Sequence, residues 1–268
     1  MDFAINHISA PSLPLQAFFA MVRRLGANRV EIRNDTPDVM NSVAPEEVRA
    51  AAGAAGVEIL SINALYPFNV WSGDLPERAV KMADYARDCG AKALVMCPLN
   101  DGTPVARAEL VAALRAMAPI LRDRGLTGLV EPLGFPISSL RTKGAAIDAI
   151  RAAGSTDVYR IMHDTFHHHL AGEGELYPDW TGLVHISGVT DPEVAVEDML
   201  DAHRRLVDDG DRLENIPQLR ALLDGGYRGP ISFEPFAEEV HALADPEAAL
   251  RESMEFVASR TERSASAR

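Results

Sequence analysis

Residues 159–164 read Tyr-Arg-Ile-Met-His-Asp, a short apolar run that stops at a carboxylate, and the chain continues with Thr-Phe-His-His-His at 165–169. On both sides of this segment similar runs alternate with longer amphipathic stretches, as consecutive βα units of a parallel sheet should. The predicted strands are residues 2–7, 29–33, 57–63, 92–97, 126–131, 159–164, 182–187 and 230–234. Eight strands with intervening helices predict an α/β fold, a single (β/α)8 TIM barrel.

The segments between these runs are rich in Ala, Leu, Glu and Arg at helical spacing. The clearest of them are residues 45–55, 105–124 and 213–225. A left-handed cap needs a residue without Cβ, so we expect helices to end close to Gly90, Gly125 and Gly226. No linker rich in Pro, Gly or Ser divides the chain. We therefore expect one barrel over residues 1–260 and a flexible C-terminal tail over 261–268.

The composition is that of a chain with one large core, because 47% of its 268 residues are hydrophobic and 24% are charged. A formal net charge of −13 would repel a phosphate backbone, so we expect no nucleic-acid partner. We expect no membrane partner either, since no run approaches the roughly 18 apolar residues of a membrane span. Two cysteines, Cys89 and Cys97, favour a reducing, cytoplasmic location, and Cys97 is interpreted as a buried apolar residue.

Ionisable residues occupy the ends of the last four predicted strands. They are Glu131, Asp164, His185 and Glu234. The C-terminal ends of barrel strands surround one common site, so these four side chains are expected to converge there. Burying three carboxylates and an imidazole together would be very costly without a cation. Oxygen and nitrogen donors without a thiolate predict one divalent metal ion, of the class Mn2+, Mg2+, Co2+, Fe2+ or Zn2+. The alternative for each residue alone is a polar group exposed at a strand exit.

Three consecutive histidines follow the predicted ligand Asp164. Adjacent side chains cannot all face one point, so we favour His167 alone as a substrate contact or proton relay. His168 and His169 are assigned to the surrounding loop. His163 alternates with Asp164 along the strand and should face the helix layer, which predicts a structural role.

Polar residues also lie at the ends of the first three strands. They are Asn6, Glu31, Arg33 and Asn63. Side chains at these positions are suited to hydrogen-bonding the hydroxyl groups of a polyol substrate. The alternative for Glu31 is a salt bridge with another residue of the barrel interior.

Two further features complete the predicted site. The segment 63–71, Asn-Ala-Leu-Tyr-Pro-Phe-Asn-Val-Trp, is an aromatic loop that would cover a pocket or pack on a neighbouring subunit. Arg212, before the last predicted barrel helix, would bind substrate oxygens. Its alternative is a surface ion pair with Asp209 or Asp211.

Several short motifs connect these residues to a known group of proteins. They are Val-Glu-Ile-Arg at 30–33, Asn-Ala-Leu at 63–65, Asp-Thr-Phe-His at 164–167, Asp-Arg at 211–212 and Ser-Phe-Glu-Pro-Phe at 232–236, beside Glu131 and His185. With them the chain resembles the xylose isomerase-like barrel superfamily, and within it the 2-keto-myo-inositol (inosose) isomerases. The resemblance implies one divalent metal held by Glu131, Asp164, His185 and Glu234, with His167 and Arg212 near the substrate.

The resemblance also implies an activity, the interconversion of ketoinositols within inositol catabolism. A proton would move between neighbouring carbons of a small polyol ketone through an enediolate. Glu131 and Glu234 are the candidates for carrying it, and His167 for moving the hydroxyl proton. The sequence leaves open which glutamate removes the proton and whether the barrel forms a homodimer or a homotetramer.

Three alternative functions stay open from the sequence. Ketohexose 3-epimerases share the Asp-Thr-Phe-His segment, but they usually carry another Glu shortly after the first metal ligand, and residues 132–139 contain none. Inosose dehydratases are related barrels that remove water instead of moving a proton. A binding or regulatory barrel without catalysis is the third alternative, which the complete set of ionisable groups disfavours.

Overall fold

The computed structural model describes residues 1–261 as a closed barrel of eight parallel strands. The strands are β1 (Phe3–Asn6), β2 (Arg29–Arg33), β3 (Glu58–Leu65), β4 (Ala93–Met96), β5 (Thr127–Val130), β6 (Tyr159–Asp164), β7 (Thr181–Ile186) and β8 (Ile231–Phe233). Strand β8 pairs with β1 and closes the barrel. The predicted fold is confirmed. The largest difference is in β3, which extends beyond the predicted end to Leu65 because Leu65 pairs with Met96 of β4.

Helices follow the strands and cover the outside of the barrel. They are α1 (Leu15–Arg24), α2 (Val39–Ser42), α3 (Pro45–Ala55), α4 (Leu75–Cys89), α5 (Arg107–Arg122), α6 (Lys143–Ala153), α7 (Thr165–Ala171), α8 (Asn215–Asp224), α9 (Glu238–His241) and α10 (Pro246–Thr261). Helix α3 has the predicted bounds. Helix α5 begins later than predicted because the Glu109 carboxylate accepts the backbone N–H of Ala106 at 3.0 Å.

The three glycines predicted to end helices have the expected left-handed backbone. Gly90, Gly125 and Gly226 have φ values of +89°, +64° and +99°. Thr261 closes α10, and the rest of the predicted tail, 262–268, lies outside the described residues. Within residues 1–261, no helix is both long enough and apolar enough to cross a membrane.

Alternation along the strands divides the apolar residues into two layers. The large core lies between the sheet and the helices, and it includes Leu94, Val130 and Val184. Their neighbours Val95, Leu129 and Leu183 belong to a smaller cluster on the opposite face, which is the barrel interior. The interior is therefore apolar on the side of β4 to β7, and the polar side chains of β2, β3 and β8 face it.

A buried polar contact supports β6 from the helix layer, as predicted for His163. Its Nδ1 lies 2.8 Å from Nζ of Lys143, and its Nε2 lies 2.9 Å from Oε1 of Gln218. Gln218 can only accept at this oxygen, so Nε2 carries the proton and Nδ1 accepts from the lysine. Burial lowers the pKa of Lys143 to about 7.

Lys143→Met is expected to change how stability depends on pH. The native protein holds charged Lys143 at a cost that is full below pH 7 and disappears as the pH rises towards the unfolded pKa. The wild type should therefore gain about 2–3 kcal/mol of unfolding free energy relative to the variant between pH 6 and pH 9. Urea unfolding at both pH values measures this, with the exposed Lys92→Met as the control. An identical difference at both pH values would show that Lys143 is not titrating in the native protein.

Candidate metal centre

The four predicted ligands meet at the C-terminal end of the barrel. Glu131 follows β5, Asp164 ends β6, His185 lies in β7 and Glu234 follows β8. One donor atom from each of them lies within 4.8 Å of every other, and all four residues are buried. Three carboxylates and one imidazole at this spacing suit a single divalent cation.

His185 has one ring nitrogen in use and one without a hydrogen bond. Nε2 lies 3.0 and 3.1 Å from the two oxygens of Glu31, so it donates its proton to that carboxylate. Nδ1 is buried and has no hydrogen-bond partner, although Oε2 of Glu234 is only 2.9 Å away. A carboxylate on one nitrogen and no hydrogen bond on the other are the usual surroundings of a metal-binding histidine. Burial lowers the pKa of this ring, but Glu234 and Glu31 outweigh it and raise the pKa of His185 while no ion is bound. The residues therefore fit a divalent ion.

Glu31 lies deeper in the barrel than the four predicted ligands and supports His185. Besides His185, it accepts hydrogen bonds from Ser61 Oγ at 2.6 Å, from Asn63 Nδ2 at 2.9 Å and from Ser232 Oγ. Glu31 has no exposed surface. The expectation that it contacts substrate is therefore corrected, and its alternative, an ion pair inside the barrel, is what the structure shows. Burial opposes its ionisation, but the His185 ring outweighs this and lowers the pKa of Glu31.

Two arginines lie against the ligands. Arg33 donates from Nη1 to Oε1 of Glu234 at 3.0 Å. Arg204 donates from Nη2 to Oδ2 of Asp164 at 2.6 Å and to Oε2 of Glu234 at 3.1 Å. Burial opposes ionisation of Glu234, but His185 and these two guanidinium groups hold its pKa well below the usual range. Arg204 was not anticipated, because it lies outside the strands in the long segment between β7 and α8, where no period indicates its direction.

Arg212, predicted to bind substrate, is not brought to the centre. Its guanidinium donates to the backbone carbonyls of Asp191 and Val194, and at Val194 the distance is 2.8 Å. The alternative ion pair with Asp209 or Asp211 is not among the contacts described for residues 1–261 either. Arg212 instead stabilises the segment after β7, and Arg204 is the arginine that this segment places beside the ligands.

The centre opens into a cavity of about 430 Å3. Its walls are formed by Arg33, Asn34, Asp35, Asn63, Ala64, Tyr66, Arg78, Cys97, Asn100, Glu131, Leu133, Phe135, His167, Asp201, Arg204, Glu234 and Phe236. Arg33 and Asn63 therefore line it as predicted. Asn6 does not, because its buried Nδ2 donates to Oε1 of Glu234 at 3.1 Å and supports that carboxylate. A larger groove of about 540 Å3 beside α10 contains none of the four ligands.

His167 lies in the cavity wall. Its backbone N–H and that of Phe166 donate to Oδ1 of Asp164, at 3.1 and 2.7 Å, so the ligand also caps α7. The ring packs edge-on against Phe135 with centroids 5.1 Å apart. Its buried Nδ1 has no hydrogen-bond partner among residues 1–261. His168 and His169, predicted to lie in a loop, belong to α7; they are only partly buried and do not line the cavity.

The loops of the middle strands contribute differently from what their sequence indicates. In the aromatic loop, Tyr66 lines the cavity, whereas Phe68 is fully buried and Trp71 borders a neighbouring depression. Cys97 is not a purely apolar residue. It lines the cavity, and its thiol donates to Oε2 of Glu131 at 3.2 Å.

Gly134→Ala is expected to disturb the position of His167. A Cβ at Gly134 would lie 2.1 Å from the backbone oxygen of His167 and 2.8 Å from Cβ of Leu170, so α7 would have to move. We expect a loss of roughly 1–3 kcal/mol in urea unfolding. The control is Gly53→Ala in α3, where the new Cβ meets nothing within 4 Å and stability should rise slightly. Equal stability of both variants would contradict the packing described for α7.

Comparison with known proteins finds the same fold. A xylose isomerase domain containing protein from Salmonella typhimurium LT2 is 38% identical, with a TM-score of 0.90 over 97% of each chain. The IolI protein with a bound zinc atom is 19% identical, with a TM-score of 0.85 over 97% of this chain and 98% of its own. D-Psicose 3-epimerase from Clostridium cellulolyticum H10, solved with D-tagatose, is 13% identical, with a TM-score of 0.75 over 98% and 100%. No curated protein sequence matches the chain.

Family assignment rests on a longer match. Residues 19–260 match the family described as xylose isomerase-like TIM barrel, from within α1 to within α10. The relative that is 38% identical also covers nearly the whole chain. The chain therefore belongs to the xylose isomerase-like TIM barrel family.

Proposed function

We propose that this protein is a divalent-metal-dependent isomerase that interconverts ketoinositols, with 2-keto-myo-inositol (inosose) as substrate. The observation that carries the proposal is the donor set of Glu131, Asp164, His185 and Glu234, in which Nδ1 of His185 lies beside the carboxylates without a hydrogen bond. The cavity above it is large enough for a small cyclic polyol, and its surface is polar and apolar in about equal parts. Structural neighbours that bind zinc or a ketohexose support an isomerase or epimerase of this type.

When bound, a divalent ion would polarise the substrate ketone and stabilise the negative charge that develops on it. The residues of the chain then differ in what they are free to do. Glu234 receives donors on both oxygens, from Asn6 and Arg33 on one and from Arg204 on the other. Glu131 accepts one side-chain hydrogen bond, from the Cys97 thiol. We therefore assign removal of the proton from carbon to Glu131. Glu234 is assigned to binding the metal ion.

His167 is placed to move the second proton. Isomerisation needs the hydroxyl proton of one carbon to transfer as the ketone moves to it, and His167 is the imidazole that lines the cavity. Arg204 and Asn63 line the same cavity. The wall of Leu133, Phe135 and Phe236 is suited to the apolar face of a ring.

The experiment is turnover in D2O by protein loaded with Mn2+ or Zn2+, with inosose, fructose and tagatose as separate substrates. An equilibrium mixture of ketoinositols that carries deuterium on carbon supports the proposal. Irreversible water loss from inosose would identify a dehydratase. Turnover of fructose or tagatose alone would identify a ketohexose 3-epimerase, which the epimerase neighbours favour as the second candidate. Absence of exchange on all three would contradict both isomerase and epimerase.

A further inference from the structure

The cavity is lined by arginine side chains that would attract an anionic substrate if they had no partners within the protein. Three arginines line it, Arg33, Arg78 and Arg204. A guanidinium group binds phosphate or carboxylate through two parallel N–H bonds, and such pairs are the usual means by which enzymes hold phosphorylated substrates. Whether these arginines can bind an anion therefore depends on which of their N–H groups already donate to other residues of the protein.

The Nε and Nη2 edge of the Arg33 guanidinium is paired with Asp35. Nε donates to Oδ1 at 2.7 Å and Nη2 donates to Oδ2 at 2.8 Å, which is the two-bond geometry that a phosphate would use. The remaining Nη1 donates to Glu234. Arg33 is buried, whereas the Asp35 side chain is about half exposed and lines the cavity. Asp35 thus covers the guanidinium on the side from which a substrate would approach.

Arg204 is also occupied, by hydrogen bonds to four different side chains. Nη1 donates to Asp201 at 3.1 Å, Nε donates to Ser187 at 2.9 Å, and Nη2 serves two of the ligand carboxylates. Arg78 lies at the exposed rim and donates to the backbone oxygen of Tyr66. With Asp164 included, the three arginines and one divalent ion would balance five carboxylates. The cavity then has no net charge to offer an anion.

We infer that Asp35 is a specificity-determining residue that restricts the site to uncharged polyol ketones, by holding the edge of Arg33 that would otherwise bind a phosphorylated or carboxylated substrate. The inference rests on the proposed function for the identity of the substrate. Asp35 itself is not a ligand, and its exposed oxygens remain available to hydroxyl groups. An anion would have to displace Asp35 and approach its negative charge.

The test is calorimetric binding of inorganic phosphate to the metal-loaded protein, which needs no turnover. Asp35→Ala frees the edge of Arg33 and should bind phosphate at least tenfold more tightly than the wild type. Asp35→Asn keeps an oxygen for the backbone N–H of Thr36, which Asp35 accepts at 2.6 Å, and is the second variant if the first does not fold. The same direction of change is expected in it.

The matched control is Asp157→Ala. Asp157 forms the same two-bond pair with Arg122, at 2.7 and 2.8 Å, but at the opposite end of the barrel, before β6. The metal-loaded Asp157→Ala variant should bind phosphate with the same affinity as the metal-loaded wild type. Any phosphate that the metal ion itself binds is then the same in both proteins. Wild-type binding as tight as that of Asp35→Ala, or no gain in either folded Asp35 variant, would overturn the inference. Failure of the ketoinositol assay with a retained gain in phosphate affinity would reject only the proposed substrate.

Discussion

Replacing Glu131 or Glu234 by glutamine is expected to lower kcat for carbon-bound deuterium exchange by at least about 1,000-fold, because each change removes a carboxylate that binds the ion or carries the proton. The two variants should differ in the stability of the metal-free protein. Glu234→Gln removes one of the carboxylates paired with the buried Arg33 and Arg204, which keep Asp35, Asp164 and Asp201, and should cost roughly 1.5–3 kcal/mol. Glu131→Gln removes a carboxylate that pairs with neither arginine and should cost much less.

The measurements are exchange followed by NMR in D2O and urea unfolding with a chelator present. Glu239→Gln is the matched control, since Glu239 lies in α9 shortly after Glu234 and forms only an exposed pair with Arg205. It should leave both quantities unchanged. Wild-type exchange in both ligand variants would reject the proposed chemistry, and equal stability of the two would reject the assigned charge pairing.

Replacing Glu31 by leucine is expected to weaken metal binding about 10- to 100-fold without removing a ligand, because the His185 ring would lose the acceptor that orients it. Stability should fall as well, by roughly 3–5 kcal/mol, since Ser61, Asn63 and Ser232 lose a buried acceptor. Glu31→Gln should show the smaller stability loss, because its amide oxygen still accepts.

Competition with a chromophoric chelator measures the affinity, and urea unfolding measures the stability. The control is Glu58→Gln at the start of β3, whose side chain is partly exposed and pairs with Arg29. Unchanged metal affinity in Glu31→Leu, in protein that is folded by circular dichroism, would show that His185 needs no support from β2.

The sequence was a good guide to which face of the sheet a strand residue occupies. Asp164 ends a clear apolar run, and the period of two places it opposite to His163, so the interior role of one and the helix-facing role of the other could both be predicted. The same argument located Glu131, His185 and Glu234. Convergence followed from the rule that the C-terminal ends of barrel strands share one site.

The position of a side chain along the barrel axis could not be predicted in this way. Glu31 occupies a strand like the ligands do, but its pairing with Asn6 of β1 and the stagger of the barrel place it below the cavity and beside His185. A period of two predicts whether a side chain points into the barrel or towards the helices. It does not predict how far along the barrel axis that side chain lies. Asn6 was misplaced for the same reason and supports Glu234 instead of facing the cavity.

By itself, then, the order of residues determined the eight-stranded barrel, its helices and the four donors of the metal centre, because these depend on local periodicity and on one rule of topology. Only the tertiary structure decided that Arg204 and not Arg212 reaches the ligands, that the Cys97 thiol contacts Glu131, and that Asp35 covers Arg33. These residues lie in loops or beyond strand ends. There the direction of a side chain is set by contacts between segments distant in the chain, and no local repeat records it.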